Sequence, residues 1–410
     1  MNAKPRHAPM NQFPIVDGEL VIGGKPVTQL AAELGQTPLY AYDRAVIDAR
    51  IARLRTALPT TVKLHYAIKA NPLPALVQHM AGRVDGLDVA SEGELAVALA
   101  SGMPPQEISF AGPAKRKPEL EAALRAGVLL NVESFREVEL LATLSQRLGL
   151  PARVAVRVNP DFELKSSGMK MGGGPKPFGV DAEDVPRLLA RIGELGLAFE
   201  GFHLFAGSQN LRAAAIVEAQ QMSYALALRL AAHTPAPVRT LNLGGGFGIP
   251  YFPGDTPLDL APIAANLAQL TEQARSELPQ AELVIELGRY LVGEAGVYVC
   301  RIIDRKVSRG QVFLVCDGGL HHHLAASGNF GQVIRKNYPV IIGNKAAPVE
   351  TETASVVGPL CTPLDILAER MELAVAEAGD LVVVYQSGAY GFTASPRAFL
   401  GHPDALEVLL

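Results

Sequence analysis

The sequence predicts an α/β protein made of a (β/α)8 barrel and a mostly β domain. Between residues 60 and 290, short apolar or β-branched runs alternate with helix-like segments, which is typical of βα units with a parallel sheet. There are eight such runs, and eight βα repeats favour a closed barrel over an open sheet. After residue 290 the chain becomes β-rich and is divided by turns, which indicates a second domain.

The eight runs predict the barrel strands one by one. In chain order they are residues 62–68, 84–90, 107–112, 127–133, 153–159, 199–205, 239–245 and 281–287. Helical patterns lie between them, and those at 93–102 and 117–127 end in glycine, as helices commonly do. The predicted barrel domain therefore covers residues 46–290.

Strand-like runs also define the second domain. They are residues 297–307, 311–319, 353–359 and 380–388. The opening segments 13–24 and 37–43 alternate in the same way, so we expect residues 1–45 to join residues 291–410 in a β-rich domain. We expect this domain to contribute to the active site.

Composition excludes several classes of function. Of the 410 residues, 49% are hydrophobic and 19% are charged, which is typical of a globular protein with a sizeable core. A formal net charge of -4, with no long basic run, argues against a nucleic-acid partner. The three unclustered cysteines favour a reducing, cytoplasmic compartment. The sequence contains no stretch of about 18 uninterrupted apolar residues, so we expect no membrane insertion.

Polar residues gather where the predicted strands end, which is where barrel enzymes place their working residues. They are Lys69, Asp88, Arg157, His203, Glu286 and Arg289. Lys69 follows an apolar strand, where burial would disfavour its ammonium form and leave an amine able to form a Schiff base. The segment alone favours an ordinary surface lysine in a βα loop over a Schiff-base lysine.

Glycines follow the seventh and eighth runs. They are Gly244, Gly245, Gly246 and Gly288. Barrel enzymes commonly bind phosphate in these loops, where bare backbone N–H groups can approach an anion. A Schiff-base lysine, a phosphate cradle and a carboxylate together suit pyridoxal 5'-phosphate (PLP). Glu286 would keep the pyridine nitrogen protonated, and the ring would accept electrons when carbon dioxide leaves.

Eight motifs carry a resemblance to a known family. YAIKAN, GLDVASEGEL, VRVNP, FAGSQ, LGGGFG, ELGRYLVGEAG, GPLCTPLD and GAYG resemble, in order and spacing, the fold type III PLP-dependent decarboxylases of diaminopimelate, ornithine and arginine. GPLCTPLD and SPRAFLGHP resemble more narrowly the subgroup associated with exosortase A systems, which is related to decarboxylases of carrier-protein-tethered amino acids. The resemblance implies an alanine racemase-like fold and a homodimer with shared active sites.

The resemblance also implies residue roles. Lys69 would hold PLP, Glu286 would face the pyridine nitrogen, Asp88 would support the lysine region, and Arg157 would order the polar network near the ring. The residues implied in phosphate binding are Ser208, Gly244, Gly245, Gly246, Gly288, Arg289 and Tyr390. Cys361 of the other subunit would return a proton to the α-carbon, although a lone cysteine is by itself more typical of a buried apolar position.

One position near the cofactor departs from the family pattern. Phe205 stands where a stacking histidine is common, and an aromatic face can still stack. His203 lies two residues earlier on the same strand face, so it either substitutes in part or is an ordinary buried histidine.

The second departure concerns the substrate. Relatives that act on diaminopimelate or ornithine carry an acidic residue after the cysteine, whereas this chain has Thr362. A buried distal ammonium without a partner would be costly, so we predict a substrate that lacks one. Arg335, Tyr338 and Thr362 are the predicted substrate-binding residues. Arg335 either pairs with a substrate carboxylate or is a surface arginine.

Three adjacent histidines in the second domain suggest a metal site at first sight. Adjacent histidines at 321–323 alternate faces on an extended chain, so we predict no metal there, but a polar active-site loop or a surface segment.

The alternative functions are diaminopimelate decarboxylase and a racemase on the same fold. Barrel racemases set an arginine against the pyridine nitrogen, so Glu286 favours decarboxylation. A non-catalytic relative would be expected to lose Lys69 or Cys361, and both are present.

Overall fold

The computed structural model describes residues 5–163, 169–170 and 172–410. The chain divides into two compact units. The barrel unit comprises Ile51–Gly248 and Leu258–Gly288, and the remaining described residues form the β-rich unit.

The division differs in detail from the predicted boundaries. The first break falls after Arg50 and the last after Gly288, rather than at residues 46 and 290. Ile249–Pro257 belongs to the β-rich unit, which the sequence pattern did not predict. This segment lies directly after the glycine-rich loop and has no strand or helix of its own to reveal its partner.

The first elements of the chain precede the barrel. The strands are β1 (Ile15–Val16), β2 (Glu19–Ile22), β3 (Lys25–Pro26) and β4 (Leu39–Tyr42). The helices are α1 (Val27–Leu34) and α2 (Arg44–Ala57). Strands β1, β2 and β3 form a small antiparallel sheet.

The barrel is the closed parallel sheet that the sequence predicted. The strands of this part of the chain are β5 (Lys63–Ala67), β6 (Gly86–Val89), β7 (Ile108–Phe110), β8 (Leu129–Val132), β9 (Arg153–Asn159), β10 (Met169–Lys170), β11 (Val180–Asp181), β12 (Ala198–Leu204), β13 (Gly207–Ser208), β14 (Thr240–Gly245) and β15 (Glu282–Leu287). Eight of them close the ring in the order β9-β12-β14-β15-β5-β6-β7-β8, and β8 pairs with β9. Each of the eight predicted runs overlaps one of these strands, so the predicted fold class is confirmed.

Helices alternate with the barrel strands. They are α3 (Pro74–Ala81), α4 (Glu92–Ala100), α5 (Lys117–Ala126), α6 (Phe135–Leu148), α7 (Val185–Glu194), α8 (Ala213–Ala231) and α9 (Ala261–Glu277). Ser134 caps α6, because its side chain accepts a hydrogen bond from the backbone of Glu137. Gly127 and Gly149 end α5 and α6 in the left-handed conformation that glycine adopts without strain.

The β-rich unit contains a second sheet. After the short helix α10 (Arg289–Val292) come β16 (Gly296–Ser308), β17 (Gln311–Cys316), β18 (Val340–Ile342), β19 (Thr351–Val357), β20 (Ile366–Ala374), β21 (Leu381–Val384) and β22 (Leu406–Leu409). The sheet runs in the order β18-β21-β16-β17-β19-β20, and β4 pairs with both β16 and β22. The sequence did not predict β18, β20 or β22.

N-terminal residues contribute to the core of the β-rich unit. Leu20, Ile22 and Leu39 pack in one buried cluster with Val297 and Val383 from the C-terminal part of the chain. Across the described residues, no helix combines the length and the apolar character needed to cross a bilayer.

Candidate active site

Lys69 lies beyond the end of β5, in the 3-10 helix Ile68–Ala70, which is one turn long. Its Nζ is 3.9 Å from Oε1 of Glu286 and 5.5 Å from the centroid of the Phe205 ring. The expectation of a buried lysine is wrong, because the side chain extends past the strand end and is 45% exposed. The structure does bring together the lysine and the carboxylate that the sequence singled out.

Glu286 is a buried carboxylate on β15. Its Oε2 is 3.0 Å from Nε2 of His203, which lies on β12 and is also buried. Burial by itself would raise the pKa of Glu286. The hydrogen bond from His203 and the positive charge of Lys69 outweigh burial and lower this pKa to about 2. Glu286 is therefore ionised at neutral pH and can stabilise a protonated nitrogen base beside it.

His203 thus contacts the carboxylate of Glu286. Its partial substitution for the stacking histidine stays a prediction. Its other ring nitrogen, Nδ1, is buried and has no hydrogen-bond partner among the residues that the structure describes.

Asp88 occupies the interior of the barrel on β6. One oxygen, Oδ1, accepts a hydrogen bond of 2.5 Å from Ser109 and lies 3.1 Å from Nδ1 of His65. The other, Oδ2, is buried without a hydrogen-bond partner within the described ranges. The sequence analysis missed His65 and Ser109. Each is a polar residue inside an otherwise apolar strand run, and this was the signal that could have revealed them.

Arg157 belongs to a second network of buried, hydrogen-bonded side chains. Its Nη1 donates a hydrogen bond of 3.0 Å to Glu133, which follows β8. Glu133 also accepts from the backbone N–H groups of Gly112 at 2.6 Å and Gly179 at 3.0 Å. Burial opposes ionisation, but the charges of Arg157 and Lys115 lower the pKa of Glu133. Glu133 thus joins the loops that follow three barrel strands, a role the sequence analysis missed.

The glycine-rich turn is too closely packed for side chains. A Cβ atom at Gly244 would lie 2.7 Å from the carbonyl oxygen of Leu204, and one at Gly246 would collide with the carbonyl oxygen of Gly207. Gly244 and Gly246 have φ angles of +69° and +77°, which glycine adopts without strain. Ser208 lies on the neighbouring β13 and is half-buried.

Gly288 shows the same close approach beside Lys69. A Cβ atom at this position would lie 2.9 Å from the Cβ of Ala70. Only glycine therefore allows the end of β15 to pack against the turn that carries the lysine.

Three further predicted residues belong to the β-rich unit. The guanidinium of Arg289 lies 4.6 Å from the centroid of the Tyr390 ring, and its Nη1 donates a hydrogen bond of 2.9 Å to the hydroxyl of Tyr251. Tyr338 is buried, and its ring centroid is 4.6 Å from that of Tyr251. Tyr251 was not predicted, because its segment was assigned to the barrel.

Arg335 is half-buried and bonded to its own chain. It donates to the carbonyl oxygens of Ser327 and Ile366, the latter at 2.8 Å. Its Nε is 3.7 Å from Oε2 of Glu369. These contacts hold the loop after β17 against β20, and a role for Arg335 in substrate binding stays a prediction.

Cys361 and Thr362 lie in the loop between β19 and β20, where Cys361 is exposed. Asp365 of the same motif anchors this loop. Its Oδ2 accepts from the backbone of Leu360 at 2.8 Å, and its Oδ1 accepts from the backbone of Leu320 at 2.6 Å. Burial raises the pKa of Asp365. Asp365 was not predicted as an anchor, although it is the last residue of the motif GPLCTPLD.

The three adjacent histidines are buried, so the interpretation as a surface segment is wrong. His323 forms a hydrogen bond of 2.9 Å with the hydroxyl of Ser387, and Nε2 of His322 lies 2.8 Å from the carbonyl oxygen of Pro403. The segment folds back at Gly319, whose carbonyl oxygen accepts from His322 and His323, and this turn encloses the rings. Within the described ranges, no group of three or more potential ligands could hold a metal ion.

The barrel residues fit PLP. Lys69 offers an amine to the cofactor aldehyde, Glu286 offers an ionised carboxylate to the pyridine nitrogen, and the glycine turn leaves bare backbone for the phosphate. The carboxylate favours a strong electron sink. Fold and site together define a barrel enzyme that uses PLP.

Comparison with known proteins agrees with this class. Residues 44–293 match the family described as "Pyridoxal-dependent decarboxylase, pyridoxal binding domain". The chain is 37% identical to L-glutamyl-[BtrI acyl-carrier protein] decarboxylase of Niallia circulans, covering 91% of this chain and 89% of that protein. It is 34% identical to diaminopimelate decarboxylase of Aquifex aeolicus, covering 96% and 91%.

A solved structure shares the whole architecture. Diaminopimelate decarboxylase from M. jannaschii in complex with L-lysine superposes with a TM-score of 0.89 at 26% identity, covering 98% of this chain and 93% of that chain. The chain belongs to the PLP-dependent decarboxylases of fold type III. It is a carboxy-lyase that acts on an amino acid or an amino-acid derivative, with PLP as its cofactor.

Proposed function

We propose that the substrate is an amino acid without a free distal ammonium group, presented on a carrier protein. The observation that supports this most directly is Thr362, which stands beside Cys361 where a carboxylate would be needed to pair a distal ammonium. A relative whose name specifies a glutamyl group on an acyl-carrier protein is 37% identical to this chain. The resemblance to the subgroup associated with exosortase A systems belongs to the same proposal.

In this proposal the barrel residues bind and orient the cofactor. Lys69 would hold the cofactor by its aldehyde and would release it to the substrate amine. Glu286 would keep the pyridine nitrogen protonated, and Nε2 of His203 lies 3.0 Å from that carboxylate. Bound PLP would supply a sink for the electron pair released when carbon dioxide leaves. Phe205 would offer an apolar aromatic face to the ring, in place of a polar histidine.

The phosphate is assigned to the turn at Gly244–Gly246 with Ser208 and Gly288. The carbonyl oxygens of Leu204 and Gly207 approach this turn too closely for any side chain at Gly244 or Gly246, which leaves backbone alone to meet an anion. Phosphate-binding roles for Arg289 and Tyr390, and a supporting role for Asp88, follow from the family resemblance and remain part of the proposal.

The α-carbon receives its proton from the partner subunit's Cys361, so the proposed catalytic unit is a homodimer. Cys361 is exposed in a loop that Asp365 anchors through both of its carboxylate oxygens. An exposed thiol in an anchored loop suits donation to a site outside its own subunit. Arg335, Tyr338 and Thr362 would contact the substrate on this side.

A substrate screen tests the proposal. Purified enzyme with PLP would be supplied with L-glutamate, meso-diaminopimelate and L-ornithine as free amino acids, and with L-glutamate as a thioester on an acyl-carrier protein. We expect carbon dioxide release to be fastest with the carrier-linked substrate. Faster turnover of free diaminopimelate would favour the alternative, diaminopimelate decarboxylase. Inversion of configuration at the α-carbon without carbon dioxide release would indicate a racemase.

Thr362→Asp tests the specificity argument separately. The added carboxylate should give measurable turnover of free ornithine or diaminopimelate, because it supplies the missing partner for a distal ammonium. Thr362→Asn, which has the same shape without the charge, should not. Equal turnover by both variants would exclude a role for charge at this position.

A further inference from the structure

The interior of the barrel holds a titratable side chain that the proposed mechanism does not use. His65 lies on β5, with its side chain 12% exposed and its Nδ1 3.1 Å from Oδ1 of the buried Asp88. Gly86 makes room for it, because a Cβ atom at that position would lie 2.5 Å from the imidazole. The imidazole is therefore built into the barrel rather than left at its surface.

His65 is also the neighbour of Glu286. In the parallel ladder between β15 and β5, Glu286 and His65 are register partners. Register partners on adjacent strands lie about 4.8 Å apart and direct their side chains to the same face of the sheet. The imidazole of His65 thus lies between two buried carboxylates of the barrel, Asp88 on β6 and Glu286 on β15.

Several charged groups surround this imidazole. Asp88, Glu286 and Glu107 contribute negative charge from β6, β15 and the turn before β7, and together they raise the pKa of His65 above its ordinary value although burial alone would lower it. His65 also borders a cavity of about 170 Å³ at the N-terminal ends of the strands. Charged residues of both signs line that cavity, namely Lys63, Arg153, Arg239, Glu107, Glu200 and Glu282.

We propose that His65 is a positioning residue that acts as an imidazolium ion between Asp88 and Glu286 and adds to the positive charge with which His203 and Lys69 favour the ionised Glu286 carboxylate. This inference rests on the proposed function, in which Glu286 faces the pyridine nitrogen of PLP. Glu286 and the ring nitrogen share one proton. A positive charge on the carboxylate side places that proton on the nitrogen, because it stabilises the anion at Glu286. The cavity gives His65 its own route for proton exchange.

The ring nitrogen itself provides the readout. Holoenzyme reconstituted with PLP labelled with 15N in the ring would be examined by NMR from pH 6 to pH 9, since protonated and neutral pyridine nitrogens differ widely in chemical shift. We expect a protonated value at low pH and, as His65 loses its proton above its ordinary pKa of 6.5, a move toward the neutral value. This measurement uses the unaltered enzyme, so it does not depend on a variant that folds.

Two variants of His65 separate charge from packing. The amide of His65→Asn can still donate to Asp88 from the position of Nδ1 but carries no charge, and His65→Phe keeps the volume. In both, the nitrogen should show the less protonated value throughout, and the transition with pH should disappear. His233→Gln, at an exposed position, should behave like the unaltered enzyme. A role in packing alone would lower the melting temperature and leave the nitrogen signal unchanged, and that result would overturn the inference.

Glu286→Gln distinguishes failure of this inference from failure of the proposed function. If Glu286→Gln leaves the nitrogen signal unchanged, Glu286 does not face the ring and the proposed function is wrong. If Glu286→Gln shifts the signal while His65→Asn and pH do not, only the inference about His65 fails.

Discussion

The barrel unit and the β-rich unit bury their titratable side chains in different states. At the ends of the barrel strands buried carboxylates are paired, as in Glu286 with His203 and Glu133 with Arg157. In the β-rich unit, His321 and His323 are buried without an opposite charge, and burial lowers the pKa of each to about 3. The comparison teaches that burial leaves these imidazoles neutral where no carboxylate pairs them, whereas the strand-end carboxylates stay ionised because basic groups lie beside them.

The largest effect should come from the charged end. Lys69→Ala should reduce carbon dioxide release on the order of a thousandfold or more, because the covalent link to the cofactor is lost. The visible absorbance of the bound cofactor should change with it. Lys63→Ala, at the opposite end of the same strand, should alter neither. Equal activity of Lys69→Ala and unaltered enzyme would contradict the assignment of the site.

Removing one member of a buried ion pair should be the next largest effect. Glu133→Gln leaves Arg157 buried without its counter-charge, so the free energy of unfolding should fall by about 3 kcal/mol. Urea denaturation followed by circular dichroism would measure the loss. Glu139→Gln breaks an exposed pair with Arg191 and should change stability little. If the two variants were equally stable, the barrel charges would have no special importance.

Acid should affect the β-rich unit first. Because burial lowers the pKa of His323 from 6.5 to about 3, its contribution to stability is complete above pH 6.5 and is lost as pH falls toward 3. At pH 5 the loss amounts to about 2 kcal/mol. The contribution of Glu286, whose pKa is lowered from 4.5 to about 2, should persist at that pH.

Hydrogen–deuterium exchange at pH 7 and pH 5 would locate this loss. After correction for the slower intrinsic amide exchange at pH 5, peptides that cover residues 319–328 should show reduced protection at pH 5, and peptides that cover β15 should not. His323→Gln should reduce the difference between the two pH values. Faster exchange in the barrel peptides than in the histidine segment would reverse the comparison.

The smallest expected effect concerns Phe205. Phe205→Leu removes the aromatic face beside Lys69 and should weaken PLP binding by up to about tenfold, since an aromatic contact is worth about 1 kcal/mol. Equilibrium dialysis against PLP would measure it. Phe205→His keeps a ring and should bind PLP about as well as the unaltered enzyme. A loss of affinity in Phe205→His alone would mean that apolarity, and not the ring, matters.

The barrel could be predicted because local pattern and topology agree. Each of its strands is an apolar run bounded by helical segments, and eight repeats leave few alternatives to closure. Strand β20 was missed because ILAERMELA mixes apolar and charged residues without strict alternation. Ile249–Pro257 was assigned to the barrel because nothing in a segment without regular structure reveals which unit it packs against.

The site was predicted where the family motifs name a residue and missed where strand register creates the contact. Lys69 and Glu286 stand in motifs, and the structure places them 3.9 Å apart. The contact of His65 with Asp88 requires knowing that β5 and β6 are neighbours and how they align. Burial was judged from the apolar strand before Lys69, although the side chain extends beyond it.

Asp365 gives the loop of Cys361 a useful property for protein engineering. Both oxygens of this carboxylate hold backbone groups, at Leu320 and Leu360, and inside the loop the hydroxyl of Thr362 accepts a hydrogen bond of 3.3 Å from the backbone of Leu364. Because Asp365 fixes the loop, positions 362 and 364 can be varied while Cys361 is kept as the proposed proton donor. Libraries that vary them while retaining Asp365 should yield folded proteins with altered substrate choice, and the same division of labour would let natural relatives diversify their chemistry without redesigning the scaffold.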